Sequence, residues 1–280
     1  MKEVTIENIT DVVVASMSAD MQPRQREIMT GLIRHLHDFA REVNLTHDEW
    51  LIGIDALTRA ANMTDHKRNE FILISDVLGI ESLVDAISHG GGDDVTESAV
   101  LGPFFRENAP KKKRGESISM RGEADGPSVL LHGKVTGADG KPVVGAVINV
   151  WETGPEGMYE QQDPDQPDMN LRGQFQTAED GTYQIRAVRP VSYPIPYDGP
   201  AGDILQMMGR HPNRPAHIHM IIEAPGYQRL VSQLYDKTDP YIDSDSVYSV
   251  KGSLLLDFEK APAEAETEFI VEHDVVLKSA

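Results

Sequence analysis

From residue 128 onwards the chain is built of short runs of alternating apolar and polar residues separated by turn signals. The run VLLHGKV leads to a turn at residues 138–141, and VVGAVINVWET follows. The segment QFQTAEDGTYQIRAV predicts a hairpin that turns at residues 179–181. Further strands are predicted at 216–223, 229–235, 252–258 and 268–277. Many short strands at this spacing are typical of a β-sandwich, so the sequence predicts a mainly β fold over residues 128–280.

The first 105 residues have a different pattern, which indicates helices. Residues 23–43 place apolar side chains at helical spacing behind a proline in the first turn. Thr46 and Glu49 have the spacing of a capping box and predict a second helix that begins there. A third helix is predicted over roughly 64–88. The chain is therefore expected to have an N-terminal helical region (1–105), a linker (106–127) and the β-sandwich domain (128–280).

Composition and charge exclude several classes of protein. Hydrophobic residues make up 40% of the chain and charged residues 25%, as in soluble globular proteins. No apolar run is long enough to cross a bilayer, and a formal net charge of −19 disfavours nucleic acids and anionic membrane surfaces as partners. The N-terminus has no apolar leader stretch, so we expect a cytoplasmic protein without membrane insertion.

A pair of histidines in the stretch RPAHIHM predicts a metal site. His217 and His219 stand two residues apart in a predicted strand, so their side chains share one face and can converge on a cation. Two ordinary polar positions would give the same pattern. Because the chain has no cysteine, any metal must be held by histidine, carboxylate or tyrosine. Tyr159 lies in a predicted loop, and Tyr193 and Tyr197 lie in another that three prolines stiffen.

Two other interpretations of these residues remain open at this point. His217, His219 and Glu223, with His273 as a later ligand, would resemble the metal site of a cupin. Alternatively, segments such as GKVTGADGKPVVGAVINVWET occur in β-sandwich binding modules that have no catalytic activity. A cupin would leave the tyrosines unexplained, and a binding module would need no metal.

Several longer stretches resemble the intradiol ring-cleaving dioxygenases, and the resemblance covers nearly the whole chain. The stretches are GMYEQQDP, MNLRGQF, TAEDGTYQIRAVRP, SYPIPYDGP and GRHPNRPAHIHM. The resemblance implies one non-haem ferric ion per subunit, held by Tyr159, Tyr193, His217 and His219. Tyr193 is preferred over Tyr197 because it precedes His217 by 24 residues, the spacing of the family. Tyr197 would then be a spectator at the mouth of the pocket.

The same resemblance implies a reaction and roles for three residues. Members of this family open an aromatic diol with O2 between the two carbons that carry the hydroxyl groups. Tyr193 would assist deprotonation of the diol, and the permanent charge of Arg214 would stabilise negative charge on the ring. Gln233 would help to position the substrate or an intermediate.

The sequence is most similar to the hydroxyquinol branch of the family, through RHPNRPAHIHM, APGY and residues 241–246. This implies 1,2,4-trihydroxybenzene as substrate and 3-hydroxy-cis,cis-muconate, which tautomerises to maleylacetate, as product. Catechol or a chlorocatechol is the alternative substrate. The pocket positions of the branch correspond here to Leu73, Asp76, Val100, Leu101, Gly102, Pro103, Phe104, Ile195, Pro196 and Val247.

Asp76 bears most directly on the choice of substrate. Its carboxylate could accept a hydrogen bond from a third ring hydroxyl, which catechol lacks. It could equally be a polar position on an amphipathic helix. The resemblance also implies a homodimer formed through the N-terminal helices, with a phospholipid at the interface.

Overall fold

The computed structural model describes residues 3–90 and 95–280. The chain divides into two compact units, Met1–Thr58 and Arg59–Ala280. The boundaries predicted at residues 105 and 127 follow a change in composition rather than a change in packing, and they stay a prediction.

The first unit is helical. It contains α1 (Ile9–Ala15), α2 (Pro23–Glu42) and most of α3 (His47–Met63). The capping box at the start of α3 is present: Glu49 Oε2 accepts from the Thr46 amide at 2.9 Å, and Thr46 Oγ1 accepts from the Glu49 amide at 3.3 Å. Large apolar side chains of α2 and α3 are exposed, namely Ile28, Leu32, Leu36, Phe39, Trp50, Leu51, Ile54 and Leu57.

Three further helices lie in the second unit: α4 (Glu70–Val77), α5 (Ile80–His89) and α6 (Pro200–Met207). The single helix predicted over 64–88 is wrong, because α4 and α5 are separate. Gly79 lies between them in the left-handed region, with φ of +72°. The side chain of Asn69 caps α4 by accepting from two backbone amides. Helical spacing of apolar residues continues across the break and conceals it.

The β-sandwich is confirmed. The strands are β1 (Ser128–Gly137), β2 (Val147–Trp151), β3 (Arg172–Gln176), β4 (Thr182–Val188), β5 (Tyr193–Pro194), β6 (Asn213–Arg214), β7 (His217–Glu223), β8 (Leu230–Asp236), β9 (Leu255–Leu256), β10 (Glu259–Lys260), β11 (Phe269–Glu272) and β12 (Val275–Leu277). One sheet has the strand order β10-β11-β1-β12, with β4 also paired to β1. A second sheet has the order β3-β2-β7-β8-β9, and β5 and β6 form a two-stranded ribbon. Apolar side chains from both five-stranded sheets pack between them and form the core.

The hairpin predicted over residues 174–188 is wrong, although both of its strands and its turn are present. Strand β3 pairs with β2, whereas β4 pairs with β1, so the chain crosses from one sheet to the other at this turn. Gly181 has φ of +80° and fits the turn. Alternation of apolar residues identifies a strand but does not specify the strand with which it pairs.

Of the described helices, none is long and apolar enough to cross a membrane.

Candidate active site

Strand β7 carries the histidine pair on its outer face. Ile218 and Met220 point into the sandwich core, so His217 and His219 point away from it. The partners of His219 in register are Trp151 on β2 and Gln233 on β8. Both histidines are buried, and their Nε2 atoms lie 3.2 Å apart. The shared face predicted from the sequence is therefore the face on which the two imidazoles meet.

Tyrosines from two other segments reach the same point. Tyr193 on β5 is paired in register with Arg214 on β6, and its hydroxyl lies 3.4 Å from His217 Nε2. Tyr159 lies in the loop after β2, and its hydroxyl is 2.8 Å from that of Tyr193 and 2.9 Å from His219 Nε2. Four donor atoms, two phenol oxygens and two imidazole nitrogens, thus converge. Tyr197 is 60% exposed and takes no part in this cluster.

The four donors lie in an environment that keeps them neutral. Burial raises the pKa of Tyr159 well above its usual range, and burial also raises that of Tyr193, although Arg214 opposes the shift. Burial, assisted by Arg214, lowers the pKa of His217 to about 3. Burial likewise lowers the pKa of His219. The imidazoles therefore present lone pairs, and the phenols can ionise only if a cation compensates them.

Neighbouring groups fix the orientation of both imidazoles. His217 Nδ1 lies 2.7 Å from the Pro215 carbonyl oxygen, so an N–H at Nδ1 leaves the Nε2 lone pair facing the cluster. The Trp151 ring stacks on the His219 ring at 4.5 Å with an angle of 7° between their planes. The Tyr159 ring stacks on Phe104 at 4.6 Å. These contacts pre-organise the donor set.

The donor set fits a ferric ion. Phenolates are hard anionic ligands that suit Fe(III), and imidazole nitrogens are common iron ligands. The cupin alternative does not fit, because within residues 3–90 and 95–280 there is no group of three or more His, Cys, Asp or Glu that could hold a metal. Glu223 is exposed at the end of β7, and His273 lies between β11 and β12 in the other sheet.

The Arg214 guanidinium lies beside the donor cluster and is fully engaged. Its Nη1 is 3.1 Å from His217 Nε2. On its other edge, Nε donates to Asp245 Oδ1 at 3.1 Å and Nη2 donates to Gln233 Oε1 at 2.7 Å. Nη2 also contacts the hydroxyls of Tyr235 and Ser249. A buried, permanently charged group is therefore held in one orientation next to the donor cluster.

Gln233 links this arginine to the wall of a cavity. Its Oε1 accepts from Arg214 and, at 2.6 Å, from the Tyr235 hydroxyl, while its Nε2 donates to the Val100 carbonyl oxygen. Its amide group is thus occupied by protein partners. The contacts of Gln233 are those of a group that positions its neighbours.

A small cavity opens onto the donor cluster. It is lined by Tyr159, Tyr193, Arg214 and His219 together with eight of the ten predicted pocket residues, Leu73, Asp76, Val100, Gly102, Pro103, Phe104, Ile195 and Val247. The other two predicted residues, Leu101 and Pro196, are partly buried and do not line it. Leu101 packs instead against the aromatic cluster that contains Tyr159 and Tyr193.

Asp76 is the exceptional residue of an otherwise apolar wall. It is 3% exposed, and its Oδ1 has no hydrogen-bond partner among the described residues. Burial, with a hydrogen bond to Glu81, raises the pKa of Asp76 to about 9. Burial and the neighbouring Glu81 therefore favour the neutral form of the Asp76 carboxyl group.

Sequence reasoning missed several residues of the site. Tyr235 follows Gln233 by two positions on β8, so period-2 alternation could have found it. Trp151 lies near the end of the predicted strand VVGAVINVWET and could have been proposed as a cross-strand neighbour. Asp245 and Glu81 carry no comparable signal, because each reaches the site through a tertiary contact.

Comparisons with known proteins agree with this geometry. Residues 100–279 match the family model described as "Dioxygenase", and residues 22–92 match "Catechol dioxygenase N terminus". A hydroxyquinol 1,2-dioxygenase from Rhizobium sp. is 44% identical, with 97% of this chain and 95% of that protein covered. The chain belongs to the intradiol ring-cleaving dioxygenases. It is therefore a dioxygenase, and the alternative of a non-catalytic β-sandwich module is excluded.

Proteins similar to this intradiol dioxygenase include both catechol and hydroxyquinol dioxygenases. A catechol 1,2-dioxygenase from Candida albicans is 42% identical over 96% of this chain and 91% of that protein. The crystal structure of a hydroxyquinol 1,2-dioxygenase from Pseudomonas putida DLL-E4 is 44% identical, covers 98% of this chain and 99% of its own, and superposes with a TM-score of 0.91. Overall identity thus does not separate the two substrate classes, and the pocket must do so.

Proposed function

We propose that this enzyme cleaves hydroxyquinol with O2 between its two adjacent hydroxyl-bearing carbons, giving 3-hydroxy-cis,cis-muconate and hence maleylacetate. The observation that carries the proposal is the unpartnered Asp76 Oδ1 in the wall of the cavity that Tyr159, Tyr193 and His219 also line. A buried acceptor without a partner costs about 1–3 kcal/mol, and a third ring hydroxyl would supply the missing donor.

We propose Tyr159, Tyr193, His217 and His219 as the ligands of one ferric ion per subunit. Their four donor atoms lie 2.8 to 3.4 Å from their neighbours in the cluster. Bound there, Fe(III) would supply Lewis acidity that favours deprotonation of the diol and makes the ring reactive towards O2.

Tyr193 and Arg214 act on protons and charge. Tyr193 lines the cavity, and as a phenolate it would take a proton from the diol. Arg214 lines the cavity and places a fixed positive charge beside the ring, where it stabilises the negative charge of the deprotonated substrate. Gln233 holds that guanidinium and the Val100 wall in place.

Catechol is the second candidate substrate. A catechol 1,2-dioxygenase is 42% identical to this chain, and the cavity walls other than Asp76 are mostly apolar, as a ring without a third hydroxyl would require. A 6-chlorohydroxyquinol 1,2-dioxygenase from Cupriavidus pinatubonensis, 44% identical, makes chlorinated rings a further comparison for the assay.

Oxygen uptake by the iron-loaded enzyme tests both proposals. We expect rapid uptake with hydroxyquinol, after subtraction of its spontaneous oxidation, and slower uptake with catechol. The reverse preference would transfer the assignment to catechol and leave Asp76 as a structural residue. An iron content of one per subunit and a visible tyrosinate-to-iron absorption band test the ligand set separately.

We also propose that two copies associate through the first unit. The exposed apolar side chains of α2 and α3 are about half exposed in the single chain, more apolar surface than a helix leaves in water without a partner. Sedimentation equilibrium tests this association. The predicted phospholipid and the cytoplasmic location stay predictions.

A further inference from the structure

We infer that Asp245 is a positioning residue that sets the direction of the Arg214 guanidinium. The inference rests on the role proposed above for Arg214. Asp245 itself does not line the cavity, so it acts through Arg214.

The contacts of Asp245 use both of its oxygens. Oδ1 accepts from Arg214 Nε at 3.1 Å, and Oδ2 accepts from Arg214 Nη2 at 3.3 Å. A guanidinium is planar and rigid, so binding the Nε–Nη2 edge fixes the direction of Nη1. Nη1 is the nitrogen that lies 3.1 Å from His217 Nε2 and faces the donor cluster. The direction in which Arg214 presents its charge is therefore set by a carboxylate on the far side of the group.

The same carboxylate folds the segment 245–249. Oδ1 accepts from the Val247 amide at 3.3 Å, and Oδ2 accepts from the Ser249 amide at 3.0 Å and from its hydroxyl at 2.9 Å. Between them Tyr248 takes a left-handed conformation, with φ of +58°. This turn buries Val247, which lines the cavity.

Two contacts from outside the segment hold its backbone. Ser82 Oγ donates to the Val247 carbonyl oxygen at 2.8 Å, and Arg210 Nη2 donates to the Asp245 carbonyl oxygen at 2.9 Å. The turn therefore has support that survives a change of the Asp245 side chain. The orientation of Arg214 depends more directly on the carboxylate.

The charge of Asp245 is maintained despite its burial. Burial alone would raise the pKa of this carboxyl, but the charge of Arg214 and hydrogen bonds from Arg214 and Ser249 hold it below its usual range. The pair is thus an ionised, buried, side-on pair. Removing one partner's charge from such a pair leaves the other charge buried and uncompensated.

The principal test is Asp245→Asn, which keeps the size of the side chain and one oxygen acceptor. We expect unchanged iron content and absorption band, and a kcat for ring cleavage lower by about 100-fold, the loss typical of a misplaced catalytic group. KM should change less than kcat, because the turn retains its outside support. The matched control is Asp243→Asn, the same change at an exposed position two residues earlier, which should leave kcat unaltered.

A double-mutant cycle with Arg214→Met separates positioning from a merely structural role. If Asp245 acts through Arg214, Asp245→Asn should cause no further loss of kcat once Arg214 has been replaced. Losses that multiply in the double variant would overturn the inference, and so would a folded Asp245→Asn enzyme with normal kcat. If Arg214→Met itself kept full kcat while the iron band remained, the role proposed for Arg214 would fail and there would be nothing to position.

Ser249→Ala provides a second test should Asp245→Asn not fold. Ser249 contacts both Asp245 and Arg214, and the change removes no charge. We expect a smaller loss of kcat, of about 3- to 10-fold. Normal kcat in this variant would contradict the inference, and so would a loss of kcat that is just as large in the Arg214→Met background.

Discussion

Replacing Asp76 should change the substrate preference of the enzyme rather than its general activity. In Asp76→Leu the unpartnered Oδ1 disappears from the cavity wall, and the side chain remains of similar size. Hydroxyquinol then loses the acceptor for its third hydroxyl, whereas catechol no longer leaves a buried acceptor unpaired. The change should therefore lower kcat/KM for hydroxyquinol and raise kcat/KM for catechol. Both effects lower the ratio of the hydroxyquinol value to the catechol value.

The size of the change follows from the burial of Asp76, which is 3% exposed. A buried polar group left without its partner costs about 1–3 kcal/mol, which corresponds to a factor of about 5 to 150. We therefore expect the hydroxyquinol-to-catechol ratio of kcat/KM to fall by about 100-fold in Asp76→Leu. Asp76→Asn, which retains an oxygen acceptor, should fall between the wild type and the leucine variant.

Oxygen uptake with both substrates, at equal iron loading, measures this ratio. Leu73→Val is the matched control, because Leu73 lies one turn earlier on α4, lines the same cavity and is apolar. It should affect both substrates alike. Equal losses with both substrates in Asp76→Leu, or an unchanged ratio, would refute the argument.

Two further predictions concern the donor cluster. Gly157 has φ of +74°, and an added Cβ would lie 2.8 Å from Tyr193 Cβ, so Gly157→Ala should destabilise the protein by about 1–3 kcal/mol and shift the visible absorption band. Gly209→Ala, at φ of +67° in open space, should cost backbone strain without altering the band. Removing iron with a reductant and a chelator should abolish the band and lower the unfolding temperature, because a ligand at 1,000 times its Kd stabilises by about 4 kcal/mol. Calorimetry before and after adding iron back measures this, and an unchanged unfolding temperature would contradict a buried metal site.

The histidine pair was predictable because its geometry is local. Period-2 alternation in β7 places His217 and His219 on one face whatever the rest of the fold does. The tyrosines could be assigned only through the family resemblance, since no local rule brings residues 159 and 193 to the same point. Their meeting depends on the register of β5 against β6 and on the loop after β2.

The two wrong predictions, the hairpin over residues 174–188 and the single helix over 64–88, also arise because a local pattern does not specify tertiary contacts. The strands around Gly181 were correct, but their pairing was decided by the core between the two sheets, which alternation does not encode. The helical pattern over 64–88 continued through Gly79 because the apolar spacing there suits two short helices as well as one long helix. Asp245 could not be predicted, since its importance arises from an arginine 31 residues away in the chain.

The electrostatics of Asp76 lead to a last prediction, for stability. Burial and Glu81 raise its pKa from 3.8 to about 9, so between these values the folded state holds a proton that the unfolded state has lost. The contribution of Asp76 to the free energy of unfolding therefore falls as pH rises through this window, by at most about 1.4 kcal/mol per pH unit. Asp76→Asn cannot ionise, so its stability relative to the wild type should increase from pH 5 to pH 8, by up to about 4 kcal/mol, in urea unfolding of the iron-free proteins. In Asp243→Asn, at an exposed position, the free energy of unfolding should change with pH as it does in the wild type.

If Asp76→Asn also showed the pH dependence of the wild type, Asp76 would be ionised in the folded protein. An anionic cavity wall would then repel the deprotonated diol. A neutral Asp76 avoids that repulsion, which is why an acidic residue is compatible with a cavity that binds an anion.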